Sequence, residues 1–194
     1  MLYLAMGVLL FAAAHAVPMF PAFRGRMVAA MGEGAVKGLV ALGVAAGFAL
    51  IIWGYGAARD EGTAILWDPP VWTRHLATLL MLPALVMLAA AYTPPGRLKA
   101  MLKHPMLASV KLWAAAHLLA NGTAADLVLF GGLLAWAVAD RISLARRERA
   151  GLIARPAAGP AVNDLIAVAV GAALWALLTF WGHAYLFGVS PLMV

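Results

Sequence analysis

Long uninterrupted runs of apolar residues constrain this chain more than any other feature of its sequence. Residues 36–57 contain a single charged side chain, Lys37, which lies at their beginning. About 20 apolar residues are enough for a helix to cross the hydrocarbon core of a membrane. Only 11% of all residues are charged, which is too few to cover the surface of a soluble domain. The runs are continuous and lack the alternation of membrane β-strands. We therefore predict an all-α, polytopic integral membrane helical bundle, with a single domain over residues 1–194.

About six transmembrane helices are predicted from the apolar runs. They cover residues 2–22, 36–57, 71–92, 105–120, 124–140 and 163–188. The fourth and fifth runs are short, and the turn residues Asn121 and Gly122 join them. These two runs can also form a tilted or re-entrant hairpin, so a count of five spans stays open.

Basic residues lie almost entirely in alternate loops between the predicted spans. Eleven of the 14 Lys and Arg residues follow the first, third or fifth span. The positive-inside rule therefore places these three loops in the cytoplasm and both termini on the outer side. This orientation explains the net charge of +6, so we expect a lipid bilayer and no nucleic acid as partner.

Five histidines lie in the predicted spans or at their ends. They are His15, His75, His104, His117 and His183. An ionisable residue inside a span is a functional hypothesis by default, although an imidazole that bonds a backbone carbonyl is also a common packing device. The chain has no cysteine, and its acidic residues lie outside or at the edge of the spans. A haem iron fits such a set better than a four-ligand zinc site does, because the porphyrin supplies four ligands itself.

Spacing limits which histidines can share one iron. His104 and His117 are about 20 Å apart on a straight helix, so a second ligand must come from another span. His15 is the candidate, and Pro18 after it can bend the first span. Trp113 lies on the same helix face as His117. Lys111 either extends to the membrane interface or pairs with an anion from a ligand, such as a haem propionate.

Several motifs together resemble one known family. The chain has His104-Pro105, then Trp113, His117 and LLANG, and later LAWAVADRISLARR. It also has His15-x-x-Pro18 and closes with HAYLFGVSPL. These motifs resemble the NnrU family of bacterial membrane proteins, over essentially the whole chain. The resemblance implies a bacterial inner (cytoplasmic) membrane location and a link to nitrite and nitric oxide metabolism in denitrification. In such a membrane, the orientation from the positive-inside rule makes both termini periplasmic.

The NnrU family is similar to the plastid zeta-carotene isomerases, which are membrane proteins that carry haem b. Their axial haem ligands match His15 and His117 here, and a further family histidine matches His104. The resemblance therefore implies His15 and His117 as axial ligands, with His104 as a substitute, and we add Lys111 and Trp113 as cofactor-binding residues. The isomerases have a cysteine just after the motif Trp, where this chain has Ala114. A thiolate ligand switch is therefore excluded here.

Depth in the membrane favours a different pair from the one that the resemblance implies. With both termini outside, His15 and His117 lie about 10 Å apart in depth. His15 and His104 match better. The matching motif nevertheless ranks His117 first.

Three functions stay open at this point. The first is a haem b membrane protein with a redox role near nitrogen-oxide metabolism, where the iron binds nitric oxide or passes one electron. The second is a haem-dependent cis–trans isomerase of zeta-carotene or another polyene. The third is a non-catalytic accessory protein. The sequence leaves undecided whether the chain is an enzyme.

Overall fold

Helices make up most of residues 1–192, which are the residues that the computed structural model describes. In chain order they are α1 (Leu2–Ala16), α2 (Pro21–Met31), α3 (Glu33–Glu61), α4 (Val71–Tyr92), α5 (Arg97–Leu102), α6 (Pro105–Ala120), α7 (Ala124–Asp126), α8 (Gly132–Arg149), α9 (Ala161–Leu177) and α10 (His183–Phe187). Residues 1–192 hold no β-strand, only an isolated bridge between Ile65 and Thr123. The all-α prediction is confirmed, as expected where lipid cannot bond the backbone and each helix must satisfy its own groups.

Two π-helical turns and one 3₁₀ turn join some of these helices. The π-helical turns are Leu127–Gly131, between α7 and α8, and Leu178–Gly182, between α9 and α10. The 3₁₀ turn is Val17–Met19, directly after α1. It contains Pro18, whose ring removes a backbone N–H and ends the regular α-helix.

Five continuous helical segments are long and apolar enough to span a membrane. They are Leu2–Met19, Glu33–Glu61, Val71–Tyr92, Ala124–Arg149 and Ala161–Phe187. The remaining predicted span, Pro105–Ala120, is a shorter apolar helix of 16 residues. Its length is about 24 Å, which is less than the hydrocarbon thickness of about 30 Å. Within residues 1–192, five segments are thus long enough to span the membrane and the sixth predicted span is a shorter helix, where six spans, or five, were predicted.

Large apolar side chains on these helices point away from the rest of the protein. Leu9 of α1 is 69% exposed and Leu42 of α3 is 71% exposed. Such surfaces would be unfavourable in water, but they suit contact with lipid chains. Exposed apolar residues and helix lengths therefore agree that this is a multi-pass membrane protein.

The chain divides into two compact units. Unit 1 contains Met1–Leu66 and Thr123–Trp136, and unit 2 contains Trp67–Gly122 and the residues from Ala137 onward. Helix α8 begins in unit 1 and ends in unit 2. The prediction of a single domain over residues 1–194 stays a prediction.

In unit 1, α1 packs along α3 through glycines. A Cβ atom at Gly47 would lie 2.6 Å from the backbone nitrogen of Phe11, and one at Gly7 would lie 2.7 Å from that of Ile51. Gly43 and Gly54 continue the same stripe of α3 toward Ala14 and Leu4. Small residues allow such close backbone contact between membrane helices. This contact holds α1, the helix that carries His15.

In unit 2, α4 packs against both α6 and α9. A Cβ atom at Gly171 would lie 2.5 Å from the Cα of Val86, so α9 approaches α4 closely. Trp175 donates its indole N–H to the backbone carbonyl of Thr78 over 2.8 Å. The Asp164 carboxylate accepts the backbone N–H of Arg97 over 3.0 Å. This last bond joins the beginning of α9 to the beginning of α5.

Candidate functional site

His15 lies in the last turn of α1, in unit 1. Its Nδ1 is 2.9 Å from the carbonyl oxygen of Phe11, four residues earlier. Because a carbonyl can only accept, Nδ1 carries the hydrogen and the lone pair of the neutral ring is on Nε2. The aromatic rings of Phe11 and Trp136 flank the imidazole, with ring centres 4.2 and 4.8 Å away. His15 is therefore a fixed, half-buried imidazole of defined tautomer.

Trp136 adds a polar atom beside His15 that the sequence did not single out. The indole Nε1 of Trp136 is buried and has no hydrogen-bond partner within the described part of the chain. A buried donor without a partner is unfavourable unless a bound group supplies an acceptor. Unit 1 thus holds an imidazole lone pair and an unsatisfied N–H on neighbouring rings.

His117 repeats the arrangement of His15 in the last turn of α6, in unit 2. Its Nδ1 is 2.8 Å from the carbonyl oxygen of Trp113, again four residues earlier. The ring centres of Trp113 and His117 are 5.0 Å apart, so the predicted shared helix face is confirmed. The amide of Asn121 donates to the carbonyl of His117 over 2.8 Å and closes the helix end. The same tautomer argument places the lone pair of His117 on Nε2.

A second imidazole, that of His183, lies beside His117 in unit 2. The two ring centres are 6.5 Å apart and the ring planes are inclined by 24°. His183 begins α10, directly after the π-helical turn Leu178–Gly182. The sequence identified His183 as a histidine near the end of a span, but it gave no reason to pair it with His117.

His104 is held by a carboxylate instead of a carbonyl. Its Nε2 is 2.6 Å from an oxygen of Glu148, whose side chain is only 3% exposed. The same carboxylate lies 3.7 Å from Lys103 and 3.8 Å from Arg155. Lys103 has a positive φ of 62°, so the chain turns sharply between α5 and α6 at this point. His104 therefore serves an ion cluster within unit 2, and its role as a substitute iron ligand stays a prediction.

Lys111 is half-buried on α6, two turns before His117. Within residues 1–192 no hydrogen bond or ion pair to Lys111 is present. An ammonium group in an apolar span is costly unless it reaches the interface or finds an anion. Extension to the membrane interface and pairing with an anion of a ligand therefore both stay predictions for Lys111.

A polar network at the beginning of α7 explains one buried acid of unit 1. Tyr55 donates to the Asp126 carboxylate over 2.6 Å, and the backbone N–H of Thr123 donates to it over 2.9 Å. Thr123 and Asp126 also form a reciprocal capping box. The Asp126 carboxylate therefore has a structural role, because these bonds fix it at the beginning of α7.

The structure brings some predicted site residues together and assigns others to different units. Trp113 and His117 adjoin in unit 2, which also contains His104 and Lys111, whereas His15 belongs to unit 1. Residues 1–192 contain no group of three or more His, Asp or Glu side chains able to hold a metal ion. Sequence reasoning missed Trp136 and the pairing of His183, although both lie in the motifs that carry the family resemblance.

Comparison with known proteins identifies the family of the chain. The family described as NnrU protein matches residues 3–191, which is nearly the full length. Comparisons with curated proteins and with solved structures give no match. The histidine and tryptophan positions described above all lie within the matched range, and this protein therefore belongs to the NnrU family.

Proposed function

We propose that the protein binds haem b within the membrane and has a redox or nitrogen-oxide role related to denitrification. The observation that carries this proposal is the state of the His117 ring. Its Nδ1–H is bonded to a carbonyl of its own helix, and its lone pair is therefore on Nε2. Metal-ligating histidines typically have their second nitrogen fixed in this way. The resemblance gives His15 as the opposite ligand, and that assignment stays a prediction.

The surroundings of both imidazoles suit a flat apolar group with acidic substituents. Aromatic rings lie beside each of them, at 4.8 Å for Trp136 and 5.0 Å for Trp113. Within unit 2, Lys111 offers a cation to a propionate. Within unit 1, Trp136 offers an N–H donor beside His15. An imidazole that only packs between helices can make the same carbonyl bond. The haem content of the protein therefore decides between a ligating and a packing role.

When bound, haem b supplies an iron that binds nitric oxide or transfers one electron. The carbonyls bonded to each Nδ1 would orient the imidazoles, and Lys111 would neutralise a propionate. Ala114 is fully buried, with 0% exposure, at the position where the isomerases have a cysteine. Because a methyl group cannot ligate iron, the ligand exchange of the isomerases has no counterpart at this position. We therefore favour the redox role over polyene isomerisation.

The test is the haem content of the full chain, purified in detergent from a host supplied with haem precursor. We expect about one haem b for each chain, in keeping with one iron site built from imidazoles. Protein that contains no haem, and takes none up when haem is added, would leave only the accessory role. Incubating the reduced protein with tri-cis zeta-carotene separates the two haem functions, since formation of the di-cis product would favour the isomerase.

We also propose that the protein lies in a bacterial inner membrane with both termini in the periplasm. In unit 2, Glu148 contacts Lys103 and Arg155, and Asp164 contacts the N–H of Arg97. The basic loops before α6 and after α8 therefore meet at one end of this unit, which supports the alternation used for the positive-inside rule. A topology reporter fused at residues 148–151 should give a cytoplasmic signal. A periplasmic signal there would invert the orientation.

A further inference from the structure

We infer that His183 supplies the imidazole opposite His117 on the same iron, so that unit 2 alone provides both axial ligands. This inference rests on the proposed haem function and makes it specific. It differs from the resemblance, which gives His15 as the partner of His117. Four features of unit 2 support His183.

The first feature is the separation of the two rings. An imidazole nitrogen ligates a metal at about 2 Å, and the ring centre lies somewhat more than 1 Å behind that nitrogen. Two imidazoles on opposite sides of one iron therefore have ring centres about 6 Å apart. The measured separation of His117 and His183 is 6.5 Å, and their planes differ by only 24°. A pair at adjacent corners of a tetrahedral ion would have closer ring centres, so the distance favours ligands on opposite sides.

The second feature is the way in which each ring is fixed. The Nδ1 of His183 is 2.6 Å from the carbonyl oxygen of Val189. Gly188, with φ of 69°, makes the left-handed turn that brings this carbonyl back toward the ring. His117 has the equivalent bond to Trp113. Both rings therefore have the lone pair on Nε2, which is the nitrogen needed for a shared metal.

The third feature is the local backbone before His183. The π-helical turn Leu178–Gly182 inserts one extra residue into the helix and shifts the face on which His183 lies. Such turns are rare, and they occur frequently at functional sites. The aromatic ring of Phe187 lies 5.0 Å from His183, as Trp113 does from His117. Each imidazole thus has an aromatic neighbour four residues away in sequence.

The direction of the helices also favours this pair. Within unit 2, α6 begins at the ion cluster of His104 and Glu148, and α9 begins beside Arg97. His117 and His183 both lie far along the chain from these beginnings. The measured separation of 6.5 Å between the ring centres limits the difference in depth between His117 and His183 to that distance, whereas the predicted depths of His15 and His117 differ by about 10 Å.

The experiment compares His183→Ala, His15→Ala and His75→Ala in full-length protein purified with haem, by absorption and electron paramagnetic resonance spectra. His75 is an exposed histidine of α4 and serves as the matched control. We expect low-spin iron in the wild type, in His75→Ala and in His15→Ala, and high-spin iron in His183→Ala. Adding free imidazole to His183→Ala should restore the low-spin spectrum, which a purely structural loss would not allow.

Three results would overturn the inference in different ways. Low-spin iron that persists in His183→Ala and is lost in His15→Ala would reject His183 while leaving the haem function intact. A wild-type protein without haem would reject both together. A His183→Ala protein that folds, keeps haem and does not respond to imidazole would also exclude His183 as a ligand.

Discussion

The surroundings of His15 and His117 share one hydrogen-bond arrangement but differ in the neighbouring aromatic side chain. Each histidine is in the last turn of a helix and bonds the carbonyl four residues earlier through Nδ1. Beyond this bond, His15 faces the indole of Trp136, and His117 faces the imidazole of His183. Helix geometry alone therefore sets the tautomer of a ring, while the neighbouring helix decides whether a second metal ligand is present.

The largest effect is expected from Gly47→Leu, which disrupts the contact between α3 and α1, the helix that carries His15. The new side chain would have to fit where a Cβ atom already lies 2.6 Å from the backbone of Phe11. We expect α1 to separate from α3, with a loss of about 3 kcal/mol in the free energy of unfolding. Unfolding by a denaturing detergent measures this loss.

Gly56→Leu is the matched control for Gly47→Leu, because it lies on the same helix with open space around its Cβ position. It should unfold like the wild type. Equal stability of the two variants would show that the glycine contact does not hold α1.

The second largest effect is expected from His117→Ala, which changes the surroundings of His117 in unit 2. This variant should lose most of the bound haem, at least about tenfold in affinity, because a ligand of the iron is removed. The protein should remain in the membrane at the wild-type level. Haem quantified per chain gives the readout, with His75→Ala as control, and unchanged haem in His117→Ala would remove this residue from the ligand set.

A smaller effect is expected from Glu148→Gln. This substitution weakens contacts of unit 2 that lie at the beginning of α6, away from His117. The carboxylate bonds His104 over 2.6 Å and is shared with two further cations. Removing its charge should lower the thermal unfolding temperature, because the charge-assisted bond to His104 and the two ion pairs are weakened. Thermal unfolding of Glu61→Gln, an exposed acid at the end of α3, should match the wild type. A similar loss in both variants would contradict a special role for Glu148.

The smallest effect is expected from Lys111→Met. If this ammonium pairs with a haem propionate, its removal should weaken haem binding by about threefold to tenfold, and Lys111→Arg should retain it. Titration of the haem-free protein with haem gives the affinities. Identical affinities for wild type and Lys111→Met would leave the side chain with its interfacial role.

The fold was largely predictable because the signal that determines it is local. Runs of about 20 apolar residues have to become helices in lipid, and the structure has such helices at five of the six predicted positions. The boundaries were less accurate. The predicted first span continues to residue 22, but the chain leaves the α-helix at Val17, one residue before Pro18.

The site was only partly predictable because its contacts join distant parts of the sequence. The contact of Trp113 with His117 follows from helical spacing and is confirmed. The contact of His117 with His183 joins residues 66 positions apart, and a π-helical turn that residue type and spacing do not reveal directly precedes His183. The glycines of α3 gave a signal that was overlooked, since Gly43 and Gly47 have the four-residue spacing of close membrane helix pairs.

The proposed function requires that imidazoles of this chain ligate a haem iron inside the membrane. One absorption spectrum of the detergent-purified protein, oxidised and then reduced with dithionite, tests it most directly. A haem b with two imidazole ligands should give a Soret band that shifts on reduction, together with sharp low-spin bands. A spectrum with no Soret band, before and after haem is supplied, would contradict it.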